Sequence, residues 1–147
     1  MTPGGYRAID ALRLEKGYRA WASDLNSETT PYEAGLAFAV KRDKGDFIGR
    51  EALDAEPAQK LVCLVLEDPR AIALGSEPVR TTEGAIVGRV TSGGFGYAVG
   101  ASIAYAYVPV EHAAPGTPVA VDIFGEWIPA EIRAEPLYDP AGERIRA

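Results

Sequence analysis

The sequence has 147 residues, 47% of them hydrophobic and 24% charged, which is the composition of a globular domain and excludes a disordered chain. Acidic residues outnumber basic ones by 21 to 15, and the formal charge of -6 disfavours nucleic acid and anionic membranes as partners. Cys63 is the single cysteine, which excludes an internal disulfide, and no apolar run approaches the roughly 20 residues that span a bilayer. We therefore expect a cytoplasmic protein without a membrane segment.

The first predicted element is an amphipathic helix close to the amino terminus. Pro3 suits its first turn, and Gly17 is a helix stop. Ala8 and Leu12 lie one turn apart on its apolar stripe. An ordinary terminus is polar and frayed, whereas this chain enters a helix at once and then an aromatic segment. We expect the helix to continue a structure that begins elsewhere.

A capping box predicts a second, short helix. Thr30 is a good N-cap residue, and Glu33 follows it three positions later. Gly35 should end this helix within about one turn, which leaves residues 36–40 (LAFAV) as a buried strand. A further short helix is expected between residues 49 and 57.

The rest of the sequence predicts short strands separated by glycine and proline. The apolar run KLVCLVLE is followed by PVRT, AIVGRVTS, SIAYAYVPV, PVAVDIF and WIPAEIR. The last two strands are joined by Gly125-Glu126, a two-residue loop with glycine first, as a type II′ turn prefers. We predict an antiparallel β-barrel from about Lys60 to Arg133, in a mainly β chain with a small α+β amino-terminal part packed beside the barrel.

Local patterns name no catalytic residue and no metal site. His112 is the only histidine and has no cysteine near it, so it is interpreted as a surface loop residue. Cys63 lies in mid-strand among Val and Leu, as a small core residue does. The glycine-rich stretch SGGFGYAVG could approach a phosphate, but a strand resumes directly after it, which favours a bend in a barrel. The acidic residues are too scattered to name a catalytic pair.

The order of the motifs resembles the glycine cleavage T-protein family. The segment that closes the folate-binding region of that family is similar to the stretch GYRAIDALRLEKGYRAWASDLNSETTPYEAGLAFAVKRDKGDFIGREAL. Within the family, the residues of this stretch are most similar to those of dimethylglycine and sarcosine dehydrogenases. KLVCLVLE, GRVTSGGFGYAVGASIAYAYVP and the terminal hairpin resemble the C-terminal barrel of the family. The resemblance divides the chain into the end of the folate-binding region, residues 1–58, and an aminomethyltransferase-type barrel, residues 59–147.

The resemblance implies a one-carbon step in which tetrahydrofolate receives a methylene unit from an amine. Three residues match folate-contacting positions of the family: Arg7 on the first helix, Phe38 where T-proteins commonly carry Trp, and Lys60, which aligns loosely with a residue that meets the folate tail. A guanidinium offers fixed donors, and an aromatic ring offers a stacking face. Without the resemblance, Arg7 is an exposed helix charge, Phe38 a core aromatic and Lys60 a solvated strand end.

The family's catalytic aspartate and its pterin-binding glutamate lie upstream of the matched stretch, so no catalytic residue is assigned, and no dinucleotide-binding fingerprint is present. Two functions stay open. The chain is the C-terminal part or a subunit of a folate-dependent aminomethyltransferase or demethylating dehydrogenase, inactive alone and with weak or partner-dependent binding of tetrahydrofolate, or it is a truncated, non-catalytic folate-binding or protein-interaction module. We expect an upstream catalytic subunit or self-association to cover an apolar patch on the N-terminal helix, formed by Leu12, Leu14, Tyr18 and Trp21.

Overall fold

Six strands form a closed barrel in the computed structural model, which describes residues 4–146. The strands are β1 (Gln59–Leu66), β2 (Pro78–Thr81), β3 (Ile86–Gly96), β4 (Ala101–Pro109), β5 (Pro118–Ile123) and β6 (Glu126–Arg133). Every neighbouring pair is antiparallel, and the order around the barrel is β1-β4-β3-β2-β5-β6. The predicted mainly β fold and its barrel are confirmed.

Strand β1 is apolar on both of its faces, which explains the uninterrupted run KLVCLVLE. One face points into the barrel core and carries Val62, Leu64 and Leu66. The other face carries Leu61 and Cys63, which pack with Leu14 and Tyr105 in a second apolar cluster outside the barrel core. Burial on both faces requires apolar residues at successive positions. Cys63 is the small core residue that its position predicts.

The one α-helix of the described chain is α1 (Tyr6–Lys16). It ends at Gly17, as predicted, where a left-handed φ of 73° lets the chain turn away. The prediction that the stripe with Ala8 and Leu12 faces the core is wrong, because Leu12 is 62% exposed whereas Leu14 is 1% exposed. The expectation that Leu14 belongs to an exposed apolar patch is therefore also wrong. Pro3 lies outside the described residues.

The capping box forms, but no α-helix follows it. The Thr30 N–H donates to Glu33 Oε2 at 2.8 Å, and the Glu33 N–H donates to Thr30 Oγ1 at 3.2 Å. The chain continues as a hydrogen-bonded turn, and the strand predicted at residues 36–40 is wrong: Ala37–Ala39 is a 3-10 helix. A closed barrel has no free edge for another strand, which leaves this segment unpaired.

Three more 3-10 helices follow in the chain: Arg42–Lys44, Glu51–Leu53 and Val110–His112. The second of these is the short helix predicted between residues 49 and 57, reduced to a single turn. Within residues 4–146, no helix is long and apolar enough to span a membrane.

The hairpin between β5 and β6 turns one residue earlier than predicted. Ile123 pairs with Glu126, so the two loop residues are Phe124 and Gly125 rather than Gly125 and Glu126. Both have a positive φ, 54° and 88°, which is the pattern of a type I′ turn rather than type II′. Type I′ and type II′ turns both match the right-handed twist of the two strands, and the type I′ turn formed here places a phenylalanine in the left-handed region.

The glycine-rich stretch belongs to β3, as the barrel interpretation predicts. A Cβ atom on Gly93 would lie 2.5 Å from the carbonyl oxygen of Ala73, and one on Gly94 would lie 3.0 Å from Leu14 Cδ1. These glycines therefore let a loop and helix α1 lie directly on the strand.

Candidate functional site

A buried carboxylate, Asp24, joins α1 to strand β3. Its Oδ2 accepts hydrogen bonds from Arg13 Nη1 at 2.6 Å and from the Ala20 N–H at 2.9 Å. Its Oδ1 accepts hydrogen bonds from the hydroxyls of Thr91 and Ser92, both at 2.6 Å. Asp24 is 1% exposed, and these four donors compensate the cost of burying its charge. The cluster holds the helix in one position against the barrel.

A second, partly buried ion pair joins the segment that follows α1 to the segment that follows β6. Arg19 donates through both terminal nitrogens to the carboxylate of Glu135, with 2.8 Å between Nη1 and Oε2, and its Nε donates to the Ala34 carbonyl at 3.0 Å. Its guanidinium carbon also lies 5.3 Å from the centre of the Tyr105 ring. Burial lowers the pKa of Arg19, but Glu135 outweighs this effect and raises the pKa above its ordinary value. Arg19 therefore ties together three segments that are far apart in sequence.

The carboxyl-terminal segment and the β3–β4 turn are fastened to the same helix. Lys16 Nζ donates to the Asp139 carbonyl at 2.5 Å and to its Oδ2 at 3.1 Å. The Tyr138 N–H donates to the Glu15 carbonyl at 3.0 Å. The Glu15 carboxylate accepts a 2.5 Å hydrogen bond from the Ala98 N–H in the β3–β4 turn. The inward side of the helix is thus largely charged.

Sequence reasoning missed these attachments. A signal was present in LRLEKGYR, where charged residues flank Leu14 on both sides, but the pattern alone does not say that the charged side faces inward. The carboxylate partners Asp24 and Glu135 lie 11 and 116 positions from the arginines that bind them. Charged side chains at such positions usually face solvent, and only the distant carboxylates reverse that preference.

Three of the clefts between the amino-terminal segment and the barrel each contain one residue that the resemblance assigns to folate. The helix cleft, of about 720 Å³, is lined by Arg7 together with Phe95 and Tyr97. The Lys60 cleft has a volume of about 600 Å³, and the Phe38 cleft about 500 Å³. The last two both include Gly35 and Glu135, so they adjoin each other, whereas Arg7 lies in a separate cleft.

Without the family resemblance, the sequence predicts an exposed Arg7, an exposed Lys60 and a buried Phe38, and the structure differs from this in one case. Arg7 and Lys60 are exposed, so both are free to contact a ligand. Phe38 is 78% exposed, and the interpretation as a core aromatic is therefore wrong. An aromatic ring presented to solvent beside a cleft can stack on a flat ligand. A role of these residues in folate binding stays a prediction.

The cysteine and the buried tyrosine nearest the clefts are poor candidates for acid–base or nucleophilic chemistry. Burial raises the pKa of the Cys63 thiol to about 12, which makes it a poor nucleophile. Burial also raises the pKa of Tyr105 far above its ordinary value, and its hydroxyl donates to the Leu14 carbonyl at 3.2 Å. His112 lies half-buried at the end of a 3-10 helix. In the part of the chain that the structure describes, no three His, Cys, Asp or Glu side chains are grouped to hold a metal ion.

The fold is that of a barrel domain with an attached helical segment, and comparisons with known proteins identify both parts. Residues 59–139 match the family model of the glycine cleavage T-protein C-terminal barrel domain, and residues 1–44 match the GCVT N-terminal domain. The chain belongs to the glycine cleavage T-protein family.

Curated relatives and a solved structure extend well beyond this chain. It is 41% identical to the mitochondrial dimethylglycine dehydrogenase of Mus musculus, over 97% of this chain and 17% of the relative. It is 45% identical to the aminomethyltransferase of Rippkaea orientalis, over 94% of this chain and 38% of the relative. The crystal structure of the glycine cleavage system aminomethyltransferase T from Bartonella henselae superposes with a TM-score of 0.82 and 33% identity, covering 90% of this chain and 38% of that one. The chain thus spans less than half the length of these relatives.

Proposed function

We propose that this chain supplies the C-terminal part of a tetrahydrofolate-dependent enzyme that passes a one-carbon unit from an amine to the folate. The observation that carries the proposal is the match of two successive family domains along one chain, with relatives named aminomethyltransferase and dimethylglycine dehydrogenase. The barrel and its attached helical segment contribute binding surface to such an enzyme. The rest of the site belongs to the portion of the relatives that this chain does not span.

The Phe38 and Lys60 clefts fit an extended folate. Phe38 offers an exposed ring for stacking on a pterin or benzoyl ring, and Lys60 offers a positive charge to a glutamyl carboxylate. Because the two clefts adjoin at Gly35 and Glu135, one ligand can reach both. Arg7 lies in the separate helix cleft, so substitution of Arg7 tests whether the folate also contacts that cleft.

The role of the chain in this proposal is to bind and orient rather than to transfer protons. Asp24 and Glu135, two carboxylates at the junction, already form ion pairs with Arg13 and Arg19. Cys63 is buried and protonated at neutral pH. Methylene transfer requires a positioned acid or base, so we expect none from the chain alone.

Titration calorimetry with 5-formyltetrahydrofolate tests the binding role. Without the enclosing part of a cavity, two or three contacts must offset the immobilisation cost, so the Kd should be on the order of 0.1 mM or weaker. Phe38→Ala and Lys60→Ala should each weaken binding by roughly 3- to 10-fold, the value of one stacking or charged contact, and Arg7→Ala by a similar factor if the helix cleft takes part. Phe124→Ala removes an exposed aromatic from the β5–β6 turn and is the matched control. Sub-micromolar binding by the chain alone, or binding that none of the three substitutions changes, would contradict the proposed site.

A non-catalytic folate-binding or interaction module is the second candidate function. The observation in its favour is that three carboxylates at the junction, Asp24, Glu135 and Glu15, are used to hold the fold together. Co-expression with the upstream part of the Rippkaea orientalis aminomethyltransferase separates the two candidates. Formation of methylenetetrahydrofolate from an amine donor supports the enzyme, whereas folate binding without product supports the module.

A further inference from the structure

Two ion pairs border the Lys60 cleft, and they differ in their exposure to water. The Arg19 and Glu135 side chains are 7% and 26% exposed, and this pair holds distant segments together. The Arg42 and Asp54 side chains are 45% and 61% exposed, and both residues line the cleft. An exposed ion pair contributes a factor of about 5 or less to an equilibrium. The pair of Arg42 and Asp54 is therefore one that a ligand can replace.

The stretch that carries the exposed pair is attached loosely to the barrel. None of residues 41–57 is buried. Among the described residues, the backbone hydrogen bonds of this stretch join its members to one another. Arg42 adds two side-chain contacts within it, from Nη1 to the Leu53 carbonyl at 3.2 Å and from Nη2 to the Asp54 carboxylate. Arg42 can therefore turn to a new partner without disturbing the barrel core.

We propose that Arg42 is a further ligand-binding residue of the Lys60 cleft, where it exchanges Asp54 for a carboxylate of the bound folate. Arg42 and Lys60 are the two cations among the described residues that line this cleft. The glutamyl group of a folate carries two carboxylates, so each cation can bind one of them. A guanidinium binds a carboxylate through two parallel hydrogen bonds, which an ammonium cannot form. This inference rests on the proposed folate-binding function and adds a binding residue to it.

The acidic side chains of the cleft differ in how they affect an anionic ligand. Glu33 accepts hydrogen bonds in the capping box, and Glu135 accepts them from a buried arginine, so both charges are compensated. Asp54 loses its partner when Arg42 turns to the ligand, and Glu56 also lines the cleft. Asp54 therefore opposes binding whereas Arg42 favours it. The two members of one ion pair should respond to substitution with opposite signs.

Titration calorimetry with 5-formyltetrahydrofolate on a double-mutant cycle tests the exchange. Arg42→Ala should weaken binding by about 5- to 10-fold, the value of one charged contact at a half-exposed site, and Arg42→Lys should recover only part of this loss. Asp54→Ala should tighten binding by about 2- to 5-fold, because no ion pair has to be broken. In the Arg42→Ala background, Asp54→Ala should change the Kd by less than about 2-fold, because no guanidinium is left to release.

Arg50→Ala and Glu51→Ala are the matched controls. Both residues are exposed and belong to the same stretch, but neither lines the Lys60 cleft. Each substitution removes one charge of the same sign as its counterpart in the ion pair, and each should leave the Kd unchanged. Weakening of binding by both Arg42→Ala and Asp54→Ala would give the ion pair a structural role and overturn the inference. Equal effects of Arg42→Ala and Arg50→Ala would overturn it as well.

A fragment of the ligand separates this inference from the proposed function. The fragment p-aminobenzoyl-glutamate carries both glutamyl carboxylates and no pterin ring. We expect it to shift the Nε–H resonance of Arg42 in NMR spectra, a signal that is assigned by its loss in Arg42→Lys. If the fragment binds through Arg42 while Phe38→Ala leaves folate binding unchanged, the stacking role fails and this inference stands. If folate binding depends on Phe38 but neither probe responds to Arg42, or if neither probe binds, this inference is wrong.

Discussion

Replacing Asp24 with alanine should loosen the packing of α1 and of the segment up to residue 25 against the barrel while leaving the barrel closed. Asp24 is the acceptor that the helix, through Arg13, and strand β3, through Thr91 and Ser92, have in common. The barrel core lies on the far side of its wall and involves none of these groups. The loss should therefore be local rather than global.

The magnitude follows from the contacts that are lost. Four hydrogen bonds disappear, and Arg13, whose side chain is 15% exposed, loses its buried partner and keeps only Asp10, 3.6 Å from its Nε, as a carboxylate neighbour. Removal of one member of a buried ion pair costs about 3–5 kcal/mol, which already includes its charged hydrogen bonds. Asp24→Asn keeps the shape and one acceptor, so it should cost about half as much. Either value is a large fraction of the 5–15 kcal/mol that typically stabilises a domain.

Hydrogen exchange measured by mass spectrometry, together with urea unfolding, resolves where the loss occurs. In Asp24→Ala we expect the protection of residues 6–16 to fall while that of β1, β5 and β6 is kept. Asp43→Ala removes an exposed carboxylate from the 3-10 helix Arg42–Lys44, outside the Asp24 contacts, and serves as the control. Equal effects of the two substitutions, or a uniform loss of protection across the barrel, would refute the reasoning. Arg13→Met combined with Asp24→Leu should recover part of the loss, because it leaves no buried charge unpaired.

Three further predictions concern single residues. Burial raises the pKa of Glu33, but hydrogen bonds from Thr30 outweigh it and lower the pKa below its ordinary value. The ionised Glu33 therefore stabilises the fold above its ordinary pKa, and this contribution is lost as the pH falls, so the urea midpoint of the wild-type chain should decrease between about pH 5 and pH 3 and should decrease less in Glu33→Gln. Because burial raises the pKa of Cys63 to about 12, a thiol reagent at pH 8 should label it only as fast as the fold opens, and immediate labelling would contradict its burial. Phe124→Asn should raise the free energy of unfolding by about 1 kcal/mol, because asparagine tolerates the left-handed φ of this turn, while Phe124→Val should lower it; a urea titration distinguishes the two directions.

The barrel was predictable because its signals are local. Alternating burial in β5 and β6, and glycine or proline between strands, report the state of a strand from a few neighbouring residues. Gly17 and the pair Thr30 and Glu33 are equally local, since a cap depends on residues within one turn. These elements required no knowledge of what packs against them.

The candidate site was predictable only in part. The resemblance named Arg7, Phe38 and Lys60, but it could not say that Phe38 and Lys60 lie beside adjoining clefts and Arg7 beside another. Cleft walls come from segments that are distant in sequence: Glu135 completes two of the three clefts. Glu135 lies near these clefts only because the closed barrel brings the segment after β6 next to the segment after α1.

The sequence by itself determined the strands, the helix end at Gly17 and the family, because each depends on the order of neighbouring residues. Tertiary structure alone decided which side of α1 faces the barrel. Hydrogen bonds to Asp24 and Glu135 stabilise Arg13 and Arg19 on the barrel side, and Leu12 is left in solvent. It also decided that residues 36–40 form no strand, because a closed barrel offers no edge for pairing. In both cases a distant partner outweighs the local pattern, and the free energy of that contact is not encoded in the spacing of the residues themselves.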